Sequence, residues 1–178
     1  MTLKRIKIIS VIGTFLLCFL THSIYNIFPN TLFSIFFSVN ESIWEHMKML
    51  FTTTLLFGII EYILIKKYDI KVNNFLFSKF IEALISIPIY LVMFLPYYYR
   101  FGENMIIIFV MMLITFIITQ FIGYKIMDCK HINHSNKIAI ILIIISYVIF
   151  GYLTYNPIHN HLFLDTEEEK YGINDYNI

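Results

Sequence analysis

Residues 8–40 read IISVIGTFLLCFLTHSIYNIFPNTLFSIFFSVN, and none of them is Asp, Glu, Lys or Arg. A helix needs about 20 apolar residues to cross the roughly 30 Å hydrocarbon core of a bilayer. The stretch therefore holds one span, residues 8–28, ended by Pro29-Asn30. The remainder, residues 31–39, is too short to cross alone and reads as a re-entrant or interfacial segment. Lys4, Arg5 and Lys7 precede the first span as a signal peptide's basic start would. However, the apolar run is long and lacks a small-residue cleavage site, so a retained helix is expected.

The same reading outward from this stretch gives four more spans. Residues 42–65 stop at Lys66-Lys67, and residues 80–98 contain Pro88 and Pro96. Residues 104–124 lie between Glu103 and Lys125, and residues 138–155 close at Asn156-Pro157. The fold class is thus an all-α, polytopic transmembrane helix bundle of about five spans. Composition agrees: of 178 residues, 58% are hydrophobic and 14% charged, against about 25% charged in a soluble domain. A soluble enzyme, a nucleic-acid binder and a disordered chain are excluded, since a small globule cannot hide so much apolar surface. The 18 Phe and 13 Tyr accompany abundant Ile, Asn and Lys. That pattern follows from AT-rich coding and is weak evidence for an aromatic binding site.

Orientation comes from Lys and Arg, which accumulate on the cytoplasmic side. With five spans, ten of the 13 basic residues (Lys4, Arg5, Lys7, Lys66, Lys67, Lys71, Lys79, Lys125, Lys130 and Lys137) share a side with the N-terminus. Lys48, Arg100 and Lys170 take the other. The N-terminus is expected inside and the C-terminus outside, in the cell membrane. Eight acids fall outside: Glu41, Glu45, Glu103, Asp165, Glu167, Glu168, Glu169 and Asp175. Residues 1–155 form the bundle and 156–178 an acidic extracytoplasmic tail. Cys18 and Cys129 fall at different depths, so no disulfide is expected.

This topology brings three polar segments to the outer face: 40–48, 97–103 and 156–165. Glu41 and Glu45 share a helix face, and Lys48 stands three residues beyond Glu45 to answer it. Thr52 and Thr53 continue the polar stripe inward, and such a stripe faces protein or water. Ser42-x-x-Glu45 is a capping box, and Trp44 suits an interfacial belt, which accounts for those three residues without any function. His46, Lys48 and the threonines need another account. His159, His161 and Asp165, with Glu45 and His46, are the residue types that bind a divalent metal. The metal candidates are His46, His159 and Asp165, although their spacing matches no known signature. His131 and His134, on the inner side, read as solvated loop. Arg100 follows Tyr97-Tyr98-Tyr99, either as an aromatic belt with its flanking cation or as a partner for Glu41 or Glu45. Near the inner end, Glu61 lies five residues from Lys66 and Glu82 three from Lys79, and pairing with these lysines or snorkelling suffices. With Gln120 they make a candidate inner polar cluster. No charge falls at mid-membrane, which argues against an ion-coupled transporter.

The segment Asn40-Glu41-Ser42-Ile43-Trp44-Glu45-His46-Met47-Lys48, with His159, Leu162-Phe163, Asp165 and Tyr171-Gly172, resembles a family of small bacterial polytopic membrane proteins. That family is known only as a domain of unknown function, the 6512 type. The two motifs bracket most of the chain. The family's second motif has prolines where this chain has Ile158, His161 and Thr166, which weakens the case for His161 and leaves His159 and Asp165. The resemblance implies no established activity.

Two functional classes remain. The first is a non-enzymatic membrane protein whose outer face binds a small ligand, a lipid headgroup or a partner, with Glu41, Glu45, His46, Lys48, Arg100, His159 and Asp165 as binding residues. The alternative is a membrane-embedded hydrolase at the outer interface. There Glu45 or His46 acts as base, or a metal on His46, His159 and Asp165 activates water. Membrane lipid is the expected partner, with a protein partner or a second copy of the chain as further candidates and nucleic acid excluded. A shared outer site places Glu45 or His46 within about 4 Å of Arg100, His159 or Asp165, the ion-pair range.

Overall fold

A computed structural model describes residues 1–174; Asp175, one of the eight acids assigned outside, lies beyond them. Among the described residues there are six helices: α1 (Leu3–Ile27), α2 (Thr31–Phe36), α3 (Ile43–Lys67), α4 (Phe75–Phe101), α5 (Met105–Asp128) and α6 (Ser135–Tyr155). A hairpin of β1 (Leu164–Asp165) and β2 (Lys170–Tyr171) follows. All but α2 are long and apolar enough to cross a membrane, as in a multi-pass membrane protein. The prolines in α4 do not break it.

Helices α1, α3, α4 and α5 close a ring, each packed on two neighbours, and α6 leans on α4. The helices are turned as lipid requires. On α1 the buried face is Ser10, Thr14, Cys18 and Thr21, while Ile8, Ile12, Leu16 and Leu20 point outward. Small polar residues let helices approach closely where lipid supplies no hydrophobic drive. The middle of the ring is apolar, with Cys18, Met47, Leu50, Tyr90, Phe94, Met112 and Phe116 in one cluster.

The ring is polar at both ends. At the end bearing the N-terminus, Lys7 (α1) lies 2.7 Å from Glu61 (α3) and 2.6 Å from Glu82 (α4). Lys79 (α4) lies 2.6 Å from Glu61 and 2.5 Å from Glu82. Gln120 (α5) accepts from Lys7 at 3.2 Å. Each ring helix thus supplies at least one member of a buried, electroneutral cluster. This corrects the local pairing expected for Glu61: its partners are Lys7 and Lys79, while Lys66 stands over the Tyr62 ring. The charges fit because glycines make room. A Cβ on Gly123 would stand 1.6 Å from Glu82 Oε1, and one on Gly58 would stand 2.7 Å from the Lys79 stem.

Residues 31–39 fold into the bundle beside α3 and α6 and return to the end from which they start. Helix α2 starts at the Asn30 cap, whose side chain accepts from Phe33 N. It descends until Phe36 meets Tyr147, and the Phe36 carbonyl accepts from Thr52 at 2.7 Å. Thr52 is nine residues into α3, roughly 14 Å from its start at 1.5 Å per residue. The chain then climbs back to Ser42. Irregular backbone at such depth needs internal partners. Besides Thr52, Lys48 supplies one by donating to the Ser34 carbonyl at 2.7 Å.

Beyond α6 the chain folds back onto the bundle. The tail's Leu162 carbonyl accepts from Trp44 N, Ile173 N donates to the Thr154 carbonyl, and Phe163 stacks on the Trp44 ring.

Candidate ligand site at the tail end of the bundle

At the end of the ring that carries the tail, α1 and α3 each present one imidazole. His22 lies one turn beyond Cys18 on the ring-facing side of α1, and His46 lies in the first turn of α3. Glu41 stands just before the Ser42 cap, its backbone N–H donated to the tail's Asp165 Oδ2 at 3.1 Å. The Nε2 atoms of His22 and His46 are 3.3 Å apart. Glu41 Oε2 is 3.3 Å from the first and 3.4 Å from the second. The three side chains keep 35%, 31% and 38% of their exposure in the chain by itself. Hydrogen bonds from His22 and His46 hold the Glu41 carboxyl well below the usual carboxylate range, outweighing its partial burial.

Beneath the triad a cavity of about 260 Å³ opens inside the ring. His22, Glu41 and His46 line it together with Cys18, Phe19, Met47, Tyr90, Phe94, Phe109 and Met112, and Glu103, Thr166 and Glu167 contribute at its edge. The cavity has apolar, sulfur-rich walls and a charged, imidazole-bearing rim.

The model of a family of unknown function (DUF6512) matches residues 1–173. The chain belongs to the DUF6512 family. No curated protein and no solved structure matches it.

In this DUF6512 chain the residues singled out from sequence separate into three groups. Glu41 and His46 meet at the cavity rim. Glu45 and Lys48 are buried beside it and turned to residues 31–39. Lys48 Nζ lies 2.5 Å from Glu45 Oε2 and donates to Thr154 Oγ1 at 2.8 Å. Glu45 accepts from Val39 N at 3.1 Å and Thr154 Oγ1 at 2.9 Å. These bonds fasten α2 and α6 to α3. The capping box is half formed: Ser42 Oγ accepts from Glu45 N at 3.4 Å, but the Glu45 carboxylate reaches Val39 N, and Ser42 N donates to Asn40 Oδ1. Thr52 and Thr53 face protein, Thr53 meeting Thr21 at 2.6 Å.

The third group is Arg100, His159 and Asp165. Arg100 is exposed, its guanidinium over the Phe101 ring. His159 stacks on Tyr171 with centroids 4.5 Å apart. Asp165 accepts from the backbone N–H groups of Glu41, Glu167 and Glu168, which shapes the tail and holds Glu41 in place. Among the described residues, the group of His, Cys, Asp and Glu close enough to share one ion is His22, Glu41 and His46. The set expected from sequence, His46 with His159 and Asp165, is not brought together as such a group. His22 is the member that the sequence reading passes over. Its signal is present: it falls four residues after Cys18, on the face that carries Lys7, Ser10 and Thr14.

Proposed function

We propose that this chain is a multi-pass cell-membrane protein that binds a small amphipathic molecule at its extracytoplasmic end. The ligand's apolar part occupies the ring cavity, and its polar head meets His22, Glu41 and His46. The observation that carries this reading is the 260 Å³ cavity with apolar walls and a rim of two imidazoles and a carboxylate. Its volume is just below the roughly 300–1,000 Å³ of drug-sized ligand sites, which suits a small molecule or one end of a lipid. An apolar pocket with a few convergent polar groups is the usual form of such a site.

The sidedness rests on charge. Once the buried Lys7, Lys79 and Lys48 are set aside, eight basic residues remain at the N-terminal end and two, Arg100 and Lys170, at the other. Exposed lysines and arginines collect on the cytoplasmic side. The hydrolase alternative retains one of its two bases: a general base must reach the reacting group, and His46 lines the cavity whereas Glu45 does not.

The test is native mass spectrometry of the full chain released from mild detergent. The wild type should carry one amphiphile per chain. Met112→Trp, which fills the cavity, should lose it, and Ile117→Trp, on the exposed side of α5, should keep it. Equal retention by both variants, or no adduct on the wild type, overturns the proposal.

A further inference from the structure

We propose that His22, Glu41 and His46 hold one divalent metal ion of the zinc class, with a coordination position left for an exogenous ligand. The distances carry the inference. The two Nε2 atoms and Glu41 Oε2 form a nearly equilateral triangle with edges of 3.3, 3.3 and 3.4 Å. Zinc binds His nitrogen and carboxylate oxygen at about 2.0–2.1 Å in tetrahedral geometry, which spaces its ligand atoms about 3.3–3.4 Å apart. The triangle is therefore the size of one face of a zinc tetrahedron. An ion at about 2.05 Å from all three corners stands only about 0.7 Å out of their plane.

A second observation points the same way. His46 Nδ1 lies 2.9 Å from the Ser42 carbonyl, which only accepts, so Nδ1 carries the proton. With Nδ1 so occupied, Nε2 is the atom that His46 turns toward Glu41 Oε2 and the Nε2 of His22. A bound cation would take the place of the proton that Nε2 otherwise shares with Glu41. The same Nδ1–H bond to a backbone carbonyl is the support that orients a metal-binding histidine and fixes its tautomer. Two imidazoles and one carboxylate suit zinc, and three protein ligands with a fourth site open is the arrangement of zinc sites that exchange ligands. The metal set stands on its own geometry. Only the identity of the fourth ligand, the head of the cavity's amphiphile, rests on the reading given above.

The full chain in mild non-ionic detergent is stripped with chelator and titrated with Zn²⁺ and, separately, Co²⁺. One ion should bind per chain, and bound Co²⁺ should show the intense visible bands of a tetrahedral site. His22→Ala and His46→Ala should each weaken binding by more than the roughly 10–100-fold that loss of a supporting outer hydrogen bond costs. Glu41→Gln should shift the Co²⁺ bands, and His159→Ala should change nothing. Circular dichroism and gel filtration show whether each variant keeps its fold. Zinc uptake by the wild type no greater than by a folded His22→Ala/His46→Ala chain, or equal loss in His159→Ala, overturns the metal site. Stoichiometric zinc on a chain that retains no amphiphile supports the metal site and overturns only the cavity reading.

Discussion

The Nε2 atoms of His22 and His46 face each other at 3.3 Å although 24 residues separate them in the chain. They meet because α1 and α3 are neighbours in the ring and both turn a polar face inward. The ring is thus polar at its two ends and apolar between. One end is closed by four buried charges that answer one another, and the other is open, with a carboxylate between two imidazoles above a cavity. The closed end holds the helices together, and the open end offers chemistry.

The acid response of Glu41 follows from its hydrogen bonds. Its carboxyl titrates below the ordinary value of 4.5 in the folded chain. A carboxylate depressed in this way adds stability that is full above its unfolded value and is lost as pH falls through the folded one. In chelator-treated protein, wild type should therefore be more stable than Glu41→Gln at neutral pH. That gap should narrow as pH drops below about 4.5. Because the side chain is 38% exposed, the gap should be small. Melting curves from pH 7 to 3 check this; a gap that widens in acid contradicts it.

Lys48 fastens residues 31–39 through the Ser34 carbonyl and is itself paired with the buried Glu45. Removing one partner of a buried ion pair costs about 3–5 kcal/mol, since the other charge is left unanswered. Lys48→Met should lower the melting temperature by roughly 10 °C, and Glu45→Gln/Lys48→Met should recover part of that loss. A Lys48→Met chain that melts with the wild type would show that the pair contributes little.

Gly123→Ala tests the crowding around the charge cluster. Its Cβ would stand 1.6 Å from Glu82 Oε1, so either the Glu82 carboxylate leaves its place between Lys7 and Lys79 or α5 moves away from α4. Overpacking of this kind costs about 1–3 kcal/mol. Gly151→Ala is the control, because its Cβ comes no closer than 3.4 Å to Ile35. Thermal denaturation should separate the two variants; equal stability would mean that the helices are not held at this distance.

The spans were legible because scarce charges and prolines mark their ends, and residues 31–39 were set apart from them because they are too short to cross. The charge cluster was only partly legible. Glu82 with Lys79 follows from spacing along one helix, but Lys7 reads as a loop charge until α1 is placed against α3 and α4. His22 was hidden because histidine does not enter a count of formal charges, so residues 8–40 looked uniformly inert. Glu45 and Lys48 were legible as a pair, not as the anchor of a segment that precedes them. The docking of the tail depends on Phe163 stacking on Trp44 across more than 100 residues, which no local pattern shows.

Five crossings would put the termini on opposite sides of the membrane. Reporter fusions should read the N-terminus as cytoplasmic and the C-terminus as extracytoplasmic, as the eight-to-two split of exposed basic residues requires. Both termini on one side would break the five-span topology and with it the position of the cavity.

The most direct test of the central claim is an experimental density map of the full chain in a lipid nanodisc. Non-protein density should fill the space between Phe94 and Met112, with its polar end against His22, Glu41 and His46. A closed cavity, with Met47 and Met112 packed across it and no density at the two imidazoles, would contradict the account.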